Sequence, residues 1–288
     1  SASRITKQYI FANRFYEQSR DEVLVSHLWN EAMVKAIILQ VATGPLFGYD
    51  RTYAKPSDAL RIVSVDDDIG SDVLLNQQGV HAWEVEADNI LSNAGESPPA
   101  YATSTEYLDG QFVSVTPTPW TTGTAFIVQQ YVKSGTTIYE VLVAHTSDTV
   151  SNDVASGNLI SRGTGSTVTY EVASTYTSSS VTTDITDGNI TATGDKVDAR
   201  IIYISYVKKL EDTTKFSPKL KWAIAMKLAI KIVTPLHNDP KAKADLIEEF
   251  EALTMPKARS VDAMQGTPRP VFNSEWLRSR SAGVRTWR

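Results

Sequence analysis

The 288-residue chain contains no cysteine. That excludes disulfides, iron–sulfur clusters and every zinc site built on thiolates, and with them the small secreted scaffold stapled by bridges. A reducing compartment during synthesis fits. Long hydrophobic runs are missing as well. A membrane helix needs ~20 apolar residues, whereas the most apolar stretch, WAIAMKLAIKIV, carries Lys227 and Lys231 inside it. The expectation is a soluble chain without membrane insertion. The opening SASRITKQYIF lacks the basic start, apolar core and small-residue cleavage site of a signal peptide, so classical export is not expected. Positive charge is in short supply: the formal net charge is −5. Proteins that wrap DNA or grip RNA draw most of their affinity from neutralising phosphates, which this balance argues against.

Catalytic signatures are absent too. No Gly-rich phosphate loop, HExxH, G-x-S-x-G or Ser/His/Asp ordering occurs. The expectation is a protein that is not an enzyme and uses no cofactor or metal. A glycosidase needs only two carboxylates, which carry no sequence signature, so a hydrolase side activity stays open at this point. Asp66-Asp67-Asp68 reads as a solvated turn, because consecutive side chains point apart and cannot converge on a cation.

What is present is ordinary globular composition, 42% hydrophobic and 21% charged, arranged in three zones. In the first, Val25, Leu28, Trp29, Ala32, Met33, Ala36 and Ile37 recur at helical spacing, which predicts an amphipathic helix over Arg14 to Val41. Gly44-Pro45 stops it. A strand follows at Leu60 to Val65, and another at Trp83 to Val85 that ends in a polar turn before Ile90-Leu91. The third zone opens with RIIYISYVKKL, apolar on most of both faces and therefore a central strand. Ser217 then caps a helix with Pro218 in its first turn, ending near Pro235. Asp239 and Pro240 start a second helix with the stripe Leu246, Ile247, Phe250 and Leu253. A short connection makes the two an antiparallel hairpin. Glu248, Glu249 and Glu251 are its wet face. The expected helical core is Val25, Leu28, Trp29, Leu220, Ile224, Leu228, Leu246 and Phe250.

The middle zone differs in kind. Ser and Thr crowd Ser161 to Lys196. That is either a flexible stalk or a small β domain, and the alternation of Val168, Tyr170 and Val172, with Val181 and Ile185 less regular, favours the β domain. HAWEVEADNIL and RIIYISYVKKL would be natural sheet partners, yet a whole zone separates them. Sequential strands are usually neighbours and the cost of closing a long loop grows only logarithmically. The reading is therefore an α+β host, residues 1–95 and 198–288, with residues 96–197 inserted as an all-β domain. SPPAYATS and TATGDKVD are the crossing linkers.

The host segments resemble the head-to-tail adaptors of short-tailed bacteriophages, the tail tubular protein A family. The resemblance lies in RFYEQSRDEVLVSHLWNEAMVKAIIL around the core His27 to Asn30, in PLFGYDRTYAKPSDALRIVSV, in WEVEADNIL, in YISYVKKLEDTTKFSPKLKWAIAMKLAIKI and in the closing DAMQGTPRPVFNSEWLRSR. It implies a host made of a helical bundle with a small β-sheet. It further implies a homo-oligomeric ring of about twelve copies closed by rotation, joining the portal protein to the tail nozzle, tail tubular protein B. Genomic DNA would pass through the channel without sequence-specific binding. The place implied is the virion tail, after synthesis in the host cytoplasm, with tail fibres as further partners. From Lys257 onward, basic residues and tryptophans interleave, the types that anchor interfaces. Arg269, Trp276, Arg278, Arg280, Arg285 and Trp287 are the expected docking residues.

The insert is similar to small three-stranded modules of chitin- and cellulose-binding type, through WTTGTAFIVQQYVKSGTTIYEVLVAHTSDTVSNDVASGN. Leu159 stands where such modules carry a closing tryptophan. The candidate glycan contacts are Trp120, Tyr131, Tyr139 and His145, and the aromatic ones serve equally well as a small core. A lone histidine at a strand end is more simply a structural residue than a general base.

Overall fold

A computed structural model describes residues 7–41, 44–45, 47–66, 82–192, 197–237 and 239–264. In chain order the host begins with α1 (Lys7–Val25), β1 (Met33–Leu39), β2 (Arg51–Ala54), β3 (Ala59–Asp66), β4 (Trp83–Glu86) and β5 (Asn89–Ser92). The middle of the chain supplies β6 (Glu106–Tyr107), β7 (Phe112–Val115), β8 (Thr118–Pro119), β9 (Ala125–Phe126), β10 (Tyr131–Ser134), β11 (Thr137–Val141) and β12 (His145–Thr146). After these come α2 (Val150–Ala155), β13 (Leu159–Thr164), β14 (Val168–Val172), β15 (Tyr176–Thr177), α3 (Val181–Thr186) and β16 (Ile190–Thr191). The host resumes with β17 (Ile201–Lys208), α4 (Pro218–His237), α5 (Pro240–Glu249) and α6 (Met255–Ala263). The class is α+β, with several small, mostly antiparallel sheets, and with α1, α4, α5 and α6 packed together beside the first.

The expected long first helix is two elements of different kind. α1 stops at Val25, and MVKAIIL is a strand paired residue for residue with β17, from Met33↔Val207 to Leu39↔Ile201. Apolar residues fill so much of MVKAIIL that they satisfy a helical and an extended template alike. Tertiary pairing decides between them. The break sits at the His27 to Asn30 turn. There the N–H groups of Ala32 and Met33 donate to the Trp29 carbonyl, and the Trp29 indole N–H donates to the Val23 carbonyl at 2.8 Å. Val25 and Leu28, expected in the core, are 37% and 40% exposed, whereas Trp29 is fully buried.

β17 is the central strand of its sheet, as its two-faced apolar pattern predicts, but its neighbours are β1 and β3. The expected partner HAWEVEADNIL pairs instead within β2-β5-β4. β17 serves two cores. Val207 joins Trp29, Phe216, Leu220, Ile224, Ile230 and Phe250 among the helices. Ile202, Ile204 and Tyr206 pack with Tyr53, Ile62 and Ile90. The caps behave as read: Ser217 Oγ accepts from the Leu220 N–H at 3.3 Å, and Asp239 from the N–H groups of Lys241 and Ala242. α4 runs two residues past Pro235 to His237. A π-helical turn, Phe250–Thr254, follows α5 and resets the phase of its stripe. Phe250 stays buried, Leu246 and Ile247 pack partly, and Leu253 turns 51% exposed. Leu228 is only half-buried, and Met226 and Ile230 fill the core beside Ile224.

The middle segment carries its own strands and cores. Val168, Tyr170 and Val172 are buried on β14, as their alternation predicts. Val181 and Ile185 lie on the helix α3, started by the Ser180 hydroxyl that accepts from the Thr183 N–H. An N-cap serine followed by a buried aspartate outweighs a weak alternation.

Candidate functional site

Three of the four candidate glycan contacts, Trp120, Tyr139 and His145, gather at one small core of the middle segment, together with Phe126. Trp120 packs on Phe126 with ring centroids 5.3 Å apart, and His145 sits 6.5 Å from Trp120 and 6.3 Å from Phe126. The short β9–β12 pair places Phe126 directly opposite His145. Together with Val132, Val141 and Leu159 they make a small core, on which Tyr139 leans. Leu159, in the closing position, is buried there, so the apolar contact of the missing tryptophan is supplied without an exposed ring.

Sequence reasoning missed the carboxylate of this cluster. Asp153, on α2, is buried and lies 3.4 Å from His145 Nε2. The other ring nitrogen, Nδ1, lies 2.7 Å from the Val143 carbonyl. Both imidazole nitrogens therefore face oxygens of the protein itself, and neither is directed at a ligand. The Nε2–Asp153 approach is longer than an ordinary hydrogen bond, and none is formed there. The eight-residue spacing from His145 to Asp153, with a Thr149 N-cap between, was the available signal.

The remaining candidate glycan contacts divide. Tyr131 is sealed in the neighbouring core, edge-on to Tyr170 with centroids 6.0 Å apart. It offers no ring face to a sugar. Trp120 and Tyr139 are half-buried.

Elsewhere the host motif forms a clasp. Asp262, buried on α6, accepts the Asn30 backbone N–H at 3.0 Å and lies 3.1 Å from His27 Nε2. Asn30 Nδ2 donates to the Asp262 carbonyl at 2.7 Å, and Arg259 Nη2 to the Ser26 carbonyl at 3.1 Å. On the other flank Glu22 bridges Lys227 and Lys231 of α4. Burial works against the charged Glu22, but the two lysines prevail and hold its carboxyl below the ordinary range. The six expected docking residues, Arg269 to Trp287, lie outside the described residues.

A cleft of about 590 Å³ separates the β1-β17 face (Lys35, Ile37) from Phe112 and Glu171 of the middle segment. Among the described residues no cluster of His, Asp or Glu could hold a metal ion, and no helix is long and apolar enough to cross a membrane. No protein-family model matches the chain, and no curated protein matches it.

Proposed function

We propose that this chain is the subunit of a ring that joins the portal of a short-tailed phage to its tail nozzle, with residues 96–197 inserted into the adaptor host. In this reading α1, α4, α5 and α6 are the host's helical bundle. The observation that carries it is the apolar side chains these helices leave in solvent: Trp222 on α4 is 56% exposed and Met264, at the end of α6, 79%. Contiguous exposed apolar patches mark contact surfaces, and in this reading these side chains contribute to one. The His27–Asp262 clasp supports the same reading. It fixes α6, so that the basic, tryptophan-bearing sequence after Met264 leaves the host from a defined point. Assembly rather than chemistry is then the mechanism. Copies meet head to tail through unlike faces and close by rotation, and the net-acidic subunit lets DNA slide through without adhering.

The test is native mass spectrometry of the protein mixed with its cognate portal, alongside a chain ending at Met264. A complex gaining a fixed number of copies is expected, and the shortened chain should join the portal but fail to recruit the nozzle. Absence of any portal complex would overturn the reading. The glycan alternative then takes its place if chitin or capsular polysaccharide binds and Trp120→Ala abolishes the binding.

A further inference from the structure

We infer that residues 99–192 are two copies of one β unit, the second seated in the hairpin of the first, and that this inner copy is an extension the chain can lose without unfolding. The inner copy runs from Trp120 through β9, β10, β11, β12, α2 and β13. The outer copy is Tyr101 with β6 and β7, then, after the inner copy, β14, β15, α3 and β16.

The registers coincide. Tyr131↔Glu140 and Val132↔Tyr139 in the inner copy correspond to Phe112↔Glu171 and Val113↔Tyr170 in the outer. His145↔Phe126 corresponds to Tyr176↔Tyr107, and Val141↔Leu159 to Val172↔Ile190. Polar details repeat as well. Ser147 Oγ donates to the Thr121 carbonyl at 2.6 Å, and Ser178 Oγ to the Ala102 carbonyl at 2.6 Å. The N–H of Thr124 donates to Ser147 Oγ and that of Thr105 to Ser178 Oγ, both at 3.0 Å. Positive φ recurs at Gln129 (67°) and Gly110 (78°). The buried aspartates are Asp153 on α2 and Asp184 on α3, and the latter accepts the Tyr101 hydroxyl. Such agreement of register, cap and hydrogen bond is not what two independent small folds would show.

The seat of the inner copy is visible too. Its own hairpin closes from Ser134 to Thr137 through Gly135-Thr136, with Gly135 at φ 62°. The equivalent rung of the outer hairpin is Val115↔Val168, and there residues 116–167 replace the turn. The inner copy docks by one face of its hairpin, Tyr131 and Ile138, onto the core of the outer copy, where Tyr170 Oη donates to the Gln129 carbonyl at 3.2 Å.

Two measurements test this on the full chain. In the first, residues 116–167 are replaced by Gly-Thr, the turn the inner hairpin uses. The shortened protein should stay folded, with one cooperative melt lowered by about 5–10 °C because Tyr131 and Ile138 no longer cover Tyr170. In the second, hydrogen exchange on the intact chain should show the inner amides, 118–164, opening as one unit while β7 and β14 stay protected. A folded deletion variant establishes the proposal. If the variant fails to fold, the exchange decides: separate opening of the inner copy upholds it, and joint opening of β7, β10, β11 and β14 overturns it.

Discussion

His27 and Asp262, 235 positions apart in the chain, meet with 3.1 Å between Nε2 and Oδ2. The same carboxylate takes the Asn30 N–H, so one buried side chain ties the end of α1 and the start of β1 to the last described helix. Asp262→Ala strands the Asn30 N–H and unties the imidazole. It should cost about 2–3 kcal/mol in denaturant unfolding, the range for leaving buried polar groups unpaired. Asp262→Asn, which keeps an acceptor, should lose less.

The turn after α1 gives a sharp contrast between neighbours. Trp29→Ala removes a wholly buried indole and its bond to the Val23 carbonyl, for an expected loss of about 3–5 kcal/mol. Leu28→Ala, at a position 40% exposed, should fall within about 1 kcal/mol of the parent. Near-equal losses would mean that Leu28 is part of the core, as one continuous helix would require.

Gly95 holds φ at 141°, and a Cβ there would run into the Tyr53 hydroxyl and touch Arg200 Cβ at 3.0 Å. Gly95→Ala should therefore destabilise by about 2–4 kcal/mol, through backbone strain and steric clash together. Hydrogen exchange should show the loss most strongly in the sheet core that holds Tyr53 and Ala94.

Burial pushes the Tyr53 phenol up to about 12, against the opposing pull of Arg51 and Arg200, and its hydroxyl donates to the Ala94 carbonyl at 2.7 Å. A phenol that ionises near 10 when unfolded and near 12 when folded keeps its full contribution below pH 10. That contribution is lost as pH rises through 12. Tyr53→Phe should lower stability at pH 8 by about 1 kcal/mol, the hydrogen-bond contribution, and make the alkaline decline between pH 10 and 12 shallower. An unchanged alkaline limb would place the titrating tyrosines elsewhere.

Elements whose cause is local were legible in the sequence. Ser217 and Asp239 start helices where their side chains and following prolines place the caps, and RIIYISYVKKL is central because it is apolar on both faces. Features whose cause is remote were not. MVKAIIL becomes a strand because β17, far along the chain, offers it a partner. Leu253 leaves the core because one π-helical turn shifts the register by a fraction of a turn, which no periodicity in the sequence announces. In the aromatic cluster Trp120, Tyr139 and His145 were readable, but Tyr131 faces another core, Phe126 was not singled out, and Asp153 was not linked to His145, because a turn and a helix cap bring them together. The repeated unit escaped for a similar reason. EYLDGQFV and AFIVQQYV are visibly alike, yet the rest of the outer copy follows only after the inner one has been completed.

The middle segment enters and leaves the host through one reciprocal bridge: the Glu96 N–H donates to the Ile201 carbonyl at 3.0 Å, and the Ile201 N–H to the Glu96 carbonyl at 2.9 Å. The host backbone is thus already rejoined before residue 97 begins. Any replacement for the intervening stretch faces a single geometric demand, that its two ends emerge side by side. A junction of this kind leaves the length and sequence of the intervening stretch free to change, while the strands and helices on either side of it keep theirs.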